Sequence, residues 1–299
     1  MQIPKNLKYK IVGNTSLTDH SVDEILKDIA LRIDHGRRLI IPIGMGGAGK
    51  SMFLGSLIAY AFKRKTTGKD GDNSCNFDHV FLPKDSGIEQ ITDALDDKRV
   101  LPSTRGNEIT IIDLNMKSRY RKRTIQITLI DTAGEDIERL IGKRDDTEGS
   151  AKKIEQILNA CVAQRAIFAI LTPVEMGTHL KQVTGFDTRE DSDMSWFIDK
   201  LRENNLRLYS LTKFLFIVSK WDWLPHPINP AKYLQYHRQQ LFDEYSSSGK
   251  YGLIPYSVGN VVGETIMNID LRSPKNFWYT LYRWCTGKHV LPWWKRWFS

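Results

Sequence analysis

Apolar and polar positions in the first part of the chain predict a helix that is followed at once by a buried strand. Residues 21–35 place their apolar side chains at mainly helical spacing. Ser21 and Asp23 suit the start of this helix, and Gly36 suits its end. The next stretch, RRLIIPI at 37–43, is short and largely apolar, which is typical of a strand with both faces buried.

The same alternation of helices and strands continues almost to the end of the chain. Further strands are predicted over 109–115, 124–130, 166–172, 213–219 and 251–258, and further helices over 50–65, 149–164, 191–205, 230–245 and 273–284. Strands that alternate with helices imply an α/β fold with a doubly wound, mostly parallel sheet. The strands 109–115 and 124–130 are predicted to form a hairpin, which adds one antiparallel edge strand.

The patterns also predict how the chain is organised. We expect an N-terminal helical extension over residues 1–36 and a single α/β domain over 37–287. Weak periodicity predicts insertions in this domain near 65–100 and 173–190. Residues 288–299 are expected to be a basic, aromatic C-terminal tail.

Composition excludes several classes of protein. The chain is 41% hydrophobic and 26% charged, which is typical of a folded domain and not of a disordered chain. Its three cysteines have no metal-ligand spacing and are odd in number, so a disulfide framework is not expected. The first residues lack the apolar core of a signal peptide, and no apolar run approaches the ~20 residues that span a bilayer. We therefore expect a cytoplasmic protein.

The net charge of +8 is concentrated in two places. The predicted hairpin tip, KSRYRKR at 117–123, contains five basic residues, which suit either contact with anions or a solvated surface. From Arg272 onward there are six Lys and Arg residues, no Asp or Glu, and five of the eight tryptophans. Aromatic residues beside basic ones suit a membrane surface, a protein partner or single-stranded nucleic acid. We favour a protein partner, or peripheral attachment at a membrane, over nucleic acid.

The stretch GMGGAGKS at 44–51 fits the pattern G-x-x-x-x-G-K-[ST] and lies between a predicted strand and a predicted helix. Glycines allow the backbone N–H groups to turn inward around phosphates, and the helix start adds positive potential. Lys50 would reach the β- and γ-phosphates, and Ser51 would bind Mg²⁺. The expected nucleotide contacts here are Gly44, Gly46, Gly47, Ala48, Gly49, Lys50, Ser51 and Met52.

Two further stretches resemble motifs of Ras-like and translation-factor-related GTPases. DTAGE at 131–135 resembles the D-x-x-G motif, which implies that Asp131 holds Mg²⁺ through a water and that the Gly134 N–H contacts the γ-phosphate. VSKWD at 218–222 resembles the [NT]-K-x-D motif. That resemblance implies that the Asp222 carboxylate accepts hydrogen bonds from guanine and that Lys220 lies along the base. Ser219 departs from the family pattern, because Asn or Thr is usual there. A serine can still hydrogen-bond toward the glycine loop, with a shorter reach, so Ser219 is counted among the expected nucleotide contacts.

Weaker resemblances complete this set. YSVGN at 256–260 is similar to the loop whose backbone contacts the guanine oxygen, with Ser257 and Val258 at the matching positions. The resemblance also implies a first-switch threonine that binds Mg²⁺. Thr104 is our choice, with Ser103 as the alternative. The LPST stretch and the late helix SPKNFWYTLYRW also resemble bacterial GTPases of the double-GTPase type, found in conflict and signalling gene clusters.

These features predict a GTP-binding switch with slow Mg²⁺-dependent hydrolysis, with GTP or GDP as the bound nucleotide and a protein effector or regulator. Its switch loops would span about 100–106 and 132–148. Lys50, Thr104, Gly134 and Glu135 are the expected catalytic residues. Turnover is expected to be slow because Glu135 stands where a water-orienting glutamine is often found, and its carboxylate would repel the γ-phosphate.

Other interpretations remain open at this stage. Arg105 and Arg144 are candidates for an arginine finger in cis, although a surface role is the simpler explanation for each. The glycine loop would equally serve an ATP-using enzyme, such as a kinase or ATPase. Glu135 suits a nucleotide-bound scaffold without significant hydrolysis. A nucleic-acid-binding protein is the fourth candidate.

Overall fold

The strands form at most of the places where the apolar runs predict them. The computed structural model describes residues 13–67, 75–79, 97, 106–118, 120, 123–147, 149–174, 188–204, 212–224, 228–247, 251–262 and 265–290. The strands of the main sheet in these residues are β1 (Gly13–Ser16), β2 (Arg38–Ile43), β3 (Cys75–His79), β4 (Glu108–Ser118), β5 (Thr124–Thr132), β6 (Ile167–Pro173), β7 (Lys213–Ser219) and β8 (Gly252–Pro255). A separate ladder joins β9 (Gly259–Val262) to β10 (Thr265–Ile269).

Helices separate most of these strands along the chain. They are α1 (Asp19–Asp34), α2 (Lys50–Thr67), α3 (Gly134–Leu140), α4 (Ser150–Ala163), α5 (Thr188–Asn204), α6 (Pro230–His237), α7 (Gln239–Ser247) and α8 (Arg272–Thr286), with a 3₁₀ turn at Trp221–Trp223. At the start of α1, Thr18 and Ser21 bond to each other's backbone N–H in a capping box. In the described residues no helix is long and apolar enough to cross a membrane.

The order of the main sheet confirms the predicted fold class. The strands lie in the order β1-β4-β5-β2-β6-β7-β8, and β3 also pairs with β4. Pairing is parallel from β5 through β2, β6 and β7 to β8. The hairpin partner β4 pairs antiparallel with β5, as the sequence predicts. The short strands β1 and β3 pair with β4 and extend this end of the sheet.

Alternate side chains of the central strands pack into two cores, one on each face of the sheet. In β2, Leu39, Ile41 and Ile43 join one core, while Ile40 joins the other. The first core includes side chains of α1, α4, α5, α6 and α7, and the second includes those of α2 and α8. In α8, Phe277 and Trp278 are fully buried. Each contributes about 1.5–3 kcal/mol of hydrophobic stabilisation.

A buried cluster of charges joins α1 to the sheet. Asp113 of β4 lies 3.0 Å from Arg32 Nη2 and 3.0 Å from Arg37 Nε, and all three residues are less than 5% exposed. The hydroxyl of Thr128 on β5 donates to Asp113 Oδ1 at 2.5 Å. Asp28, one turn before Arg32, lies 3.4 Å from that guanidinium. These contacts attach the last turn of α1, and the residues after it, to the centre of β4 and β5.

The prediction of one helix over 230–245 is wrong, because the helix is interrupted at Arg238. This residue has φ −145° and ψ 63°, which is not helical. Its buried guanidinium instead donates to Thr172 Oγ1 at 3.1 Å and to the carbonyl of Pro173. The Asp191 carboxylate accepts from the backbone N–H groups of Gln240 and Leu241, which begin the second helix. Burial raises the pKa of Asp191, and the two backbone bonds act in the opposite direction.

Three other segments differ from the prediction. The strand β3 lies within the stretch 65–100, for which an insertion was expected, and most of that stretch lies outside the described residues. The strand predicted over 251–258 is confined to β8, and the hairpin of β9 and β10 follows it. Val290, at the start of the predicted exposed tail, is buried, and its carbonyl accepts from Ser118 Oγ at 2.9 Å.

Candidate functional site

The glycine loop turns tightly between β2 and α2. Gly47 and Gly49 have φ angles of 79° and 88°, which L side chains rarely adopt. The Lys50 ammonium folds back over the loop and donates to the Gly44 carbonyl at 2.9 Å. A glycine loop in this position of a doubly wound sheet gives the chain the α/β fold of a P-loop NTPase.

Lys50 is held among acidic side chains although it is almost fully buried. Burial lowers the pKa of Lys50, and the charges of Asp131, Glu138 and Asp136 act in the opposite direction. Bound phosphates would add to the charges that favour the ammonium form. An anion that enters the loop would therefore stabilise the charged form of Lys50.

A cavity of about 480 Å³ opens beside the loop. From the loop and α2 it is lined by Met45, Gly46, Gly47, Gly49, Lys50, Ser51, Met52 and Phe53. From the other strand ends it is lined by Gly134, Glu135, Ser219, Lys220, Asp222, Trp223, Tyr256, Val258 and Gly259. The cavity lies at the carboxyl ends of the parallel strands, where open α/β sheets bind their ligands. Residues that are far apart in the chain and were predicted to bind nucleotide therefore meet in one place.

Two serines among the predicted nucleotide contacts support the loops that line the cavity. The Ser219 hydroxyl donates to the carbonyl of Ala48 at 2.7 Å, so this serine reaches the glycine loop from the end of β7. The Ser257 hydroxyl donates to Asp222 Oδ1 at 2.6 Å. The second bond fixes one oxygen of the carboxylate that the sequence assigns to guanine.

Lys220 and Trp223 form a further contact at the same end of the cavity. Lys220 has a left-handed backbone, with φ 55°. Its ammonium lies 4.5 Å from the centre of the Trp223 ring, within the range of a cation–π interaction. The cavity end that holds Asp222 is thus flanked by an aromatic ring and a long aliphatic chain, both of which suit a flat base.

The residues predicted to hold Mg²⁺ supply the oxygen donors that this ion prefers. Asp131 is buried at the end of β5, and its charge acts on Lys50. Ser51 lies in the first turn of α2 and lines the cavity. The described residues contain no group of three or more His, Cys, Asp or Glu that could hold a metal. Mg²⁺ that is bound through phosphates and one or two protein oxygens needs no such group, so Ser51 and Asp131 fit it.

Gly134 packs directly against the glycine loop. A Cβ atom at Gly134 would lie 2.9 Å from the backbone nitrogen of Gly46 and 2.9 Å from Lys50 Nζ. Glu135, the next residue, lines the cavity and pairs through Oε2 with Arg144 Nη1 at 2.6 Å. The start of α3 therefore lies directly against the glycine loop.

Asp136 is a buried residue that the sequence did not single out. Its carboxylate accepts from the backbone N–H of Asn107 at 2.9 Å and from Ser150 Oγ at 2.9 Å. It also pairs with Arg139 Nη1 at 2.7 Å. These bonds connect α3 with the residue before β4 and with the first residue of α4. Asp136 follows the D-x-x-G stretch by two positions, and that spacing was the signal available in the sequence.

Sequence reasoning also missed the aromatic lining of the cavity. Tyr256 is buried, and its hydroxyl shares a 2.5 Å hydrogen bond with Ser56 of α2. Its ring meets Phe53 edge to face, with 4.8 Å between ring centres. Burial raises the pKa of Tyr256 well above its ordinary value, so the ring stays neutral. Tyr256 belongs to the YSVGN stretch, in which only Ser257 and Val258 were assigned roles.

Some predicted residues lie outside the described part of the chain. They are Ser103, Thr104 and Arg105 of the first switch and residues 291–299 of the tail. The roles of Thr104 in binding Mg²⁺ and of the tail in binding a protein partner or a membrane stay predictions. Of the basic hairpin tip, Lys117 and Ser118 belong to β4, and residues 119, 121 and 122 are outside the described set.

Comparisons with known proteins give only distant likenesses. No protein-family model and no curated protein matches the chain. It is similar to Toc33 from Arabidopsis thaliana in complex with Mg²⁺ and GMPPNP, at 12% identity over 90% of this chain and 94% of that chain, with a TM-score of 0.41. For the signal recognition particle receptor SRb-GTP/SRX complex from Chaetomium thermophilum, the identity is 14% over 76% and 92% of the two chains, and the TM-score is 0.36. At such TM-scores, fold and function rest on the sheet and the motifs instead.

Proposed function

We propose that this protein is a GTP-binding switch that hydrolyses GTP slowly with Mg²⁺. The proposal is supported by one observation above all. Lys50 of the glycine loop, Gly134 of the D-x-x-G stretch and Asp222 of the SKWD stretch line the same cavity. A guanine nucleotide could then place its phosphates at Lys50 and its base at Asp222.

The choice of guanine over adenine depends on Asp222. A carboxylate can accept two hydrogen bonds from the N1–H and 2-amino groups of guanine, and adenine offers no such pair of donors. The bond from Ser257 holds the carboxylate in place. Ser219 takes the place of the usual Asn or Thr and still bonds to the glycine loop. The departure at Ser219 therefore leaves the contact between this strand end and the loop intact.

Titration calorimetry with Mg²⁺ tests the nucleotide preference. GTPγS and ATPγS are compared on the wild-type chain and on Asp222→Ala. Loss of two hydrogen bonds to a charged group is expected to weaken GTPγS binding about 100-fold, while ATPγS binding stays weak in both proteins. Ser257→Ala is the matched control, because it keeps the Asp222 carboxylate and removes only the hydrogen bond that supports it. The loss of GTPγS affinity in Ser257→Ala should therefore be smaller.

The outcome that contradicts the proposal is also clear. If ATPγS binds the wild-type chain as tightly as GTPγS, and Asp222→Ala changes neither affinity, the SKWD stretch does not read guanine. The cavity would then belong to an ATP-using enzyme, for which the glycine loop is equally suited.

A nucleotide-bound scaffold without significant hydrolysis is a second candidate. The observation that favours it is the ion pair between Glu135 and Arg144, which occupies the position expected to orient the attacking water. A scaffold would bind GTP and Mg²⁺ as a switch does, but it would release no phosphate. Phosphate release from bound GTP therefore separates the two candidates.

A further inference from the structure

An acidic side chain of the protein itself occupies part of the glycine loop. The backbone N–H of Gly46 donates to Glu138 Oε1 at 2.9 Å. Glu138 lies on α3, and its other carboxylate oxygen is 3.6 Å from Arg144 Nε. Backbone N–H groups of such loops bind anions. A carboxylate of this chain therefore already takes one donor of the predicted phosphate site.

The position of Glu138 identifies which phosphate it would meet. Gly46 lies beside Gly134 and Lys50, because a Cβ at Gly134 would be 2.9 Å from both Gly46 N and Lys50 Nζ. Under the proposed function, Lys50 and Gly134 are the groups that contact the γ-phosphate. Glu138 is also close enough for its charge to raise the pKa of Lys50 against the effect of burial. Under the proposed function its carboxylate thus stands where the glycine loop would meet the γ-phosphate.

A γ-phosphate cannot enter this arrangement without changing it. The Gly46 N–H already donates to Glu138 Oε1 at 2.9 Å. The carboxylate and the γ-phosphate would also repel each other and compete for the same N–H. A nucleoside diphosphate has no third phosphoryl group and could bind while Glu138 keeps its bond.

We propose that the Glu138 carboxylate is an internal competitor of the γ-phosphate at the Gly46 N–H and thereby determines the preference between GDP and GTP. This inference rests on the proposed function. GTP binding breaks the bond between Glu138 and Gly46 and moves α3 away from the loop. Arg144, which already pairs with Glu138 and Glu135, then holds the displaced carboxylate. Glu138 is a specificity-determining residue in this scheme and takes no part in the chemical step.

Titration of the full chain with GDP and with GTPγS, both with Mg²⁺, tests the inference. Glu138→Gln keeps the shape of the side chain and removes its charge. The affinity for GTPγS relative to GDP is expected to rise about tenfold, which corresponds to removing one charge-assisted competitor. Glu138→Ala should shift the ratio in the same direction. Thermal unfolding of both variants checks that the fold is retained.

Asp145→Asn is the matched control. It removes one negative charge from the exposed residues after α3 and leaves the bond between Glu138 and Gly46 in place, so its shift should be clearly smaller. Equal shifts in Asp145→Asn and Glu138→Gln would overturn the inference, because net charge alone would explain them. An unchanged ratio in both Glu138 variants would overturn it as well.

The two proposals fail in distinguishable ways. If the wild-type chain binds neither GDP nor GTPγS, the proposed function is wrong and the inference falls with it. If the wild-type chain binds both nucleotides and the Glu138 variants keep the same ratio, only the inference is wrong.

Discussion

Single residues at the strand ends decide how this cavity could be used, and Ser219 illustrates this at the smallest scale. Its hydroxyl reaches the Ala48 carbonyl at 2.7 Å, although serine is shorter than the asparagine that the resembled motif usually has. The strand β7 brings Ser219 close enough that the shorter side chain suffices. The departure from the motif thus keeps a hydrogen bond between the end of β7 and the glycine loop.

Replacing Ser219 by Ala should weaken nucleotide binding modestly. The change removes one neutral hydrogen bond and leaves the Ala48 carbonyl without that donor. We expect GTPγS affinity to fall about threefold to tenfold, as measured by titration calorimetry. Ser246→Ala is the control, because its hydroxyl bonds to the Asp243 carbonyl on the exposed part of α7. An equal loss in both variants would mean that the Ser219 bond has no special role.

Glu135 should limit the rate of hydrolysis. Its carboxylate lines the cavity beside Gly134, where it would repel the charge that develops on the transferred phosphate. We expect a wild-type kcat below ~1 s⁻¹, the lower end of ordinary enzyme rates, and a rise of about tenfold in Glu135→Gln. Steady-state phosphate release at saturating GTP measures both values. A lower rate in the variant would instead indicate that the carboxylate itself assists the reaction.

Helices and strands form as predicted where their own residues determine the structure. They differ from the prediction where contacts with distant residues determine it. The strands β2, β6 and β7 coincide closely with apolar runs, because helices cover the sheet and both faces of each strand are buried. The break between α6 and α7 could not be read from local spacing, since Arg238 leaves the helix to bond with the end of β6. The strand β3 depends on pairing with β4, and its own sequence is only weakly patterned.

The buried charge cluster at α1 and β4 should be important for stability. In Asp113→Asn, the guanidinium groups of Arg32 and Arg37 lose a buried counter-charge that lies 3.0 Å from each. We expect the free energy of unfolding to fall by about 3–5 kcal/mol in urea titrations. Asp199→Ala breaks the exposed pair with Arg202 and should cost no more than about 1 kcal/mol. Similar losses in the two variants would contradict the assigned role of burial.

For the molecule as a whole, the sequence indicated the parts of the site and left out the contacts between them. The motifs GMGGAGKS, DTAGE and SKWD predicted most of the cavity lining, because each one combines special backbone or charge requirements with a strand end. The bond from Gly46 to Glu138 joins residues 92 positions apart. No local sequence pattern predicts such a contact. Contacts between distant segments were therefore not predictable, while most residues that line the cavity were.

The carboxylate of Asp136 connects α3 to elements that lie outside the cavity. It is bonded to Asn107, and Asn107 accepts through its carbonyl from the N–H of Leu17. Lys153 of α4 donates to the Leu17 carbonyl, so this series of hydrogen bonds also reaches α4. A shift of α3 that begins at one phosphate would pull on Asn107 and on the start of α4 together, and α4 packs against both α1 and α5. A displacement at the cavity would thus move the far side of this helical layer. Another molecule bound there could respond to the displacement without contacting the nucleotide.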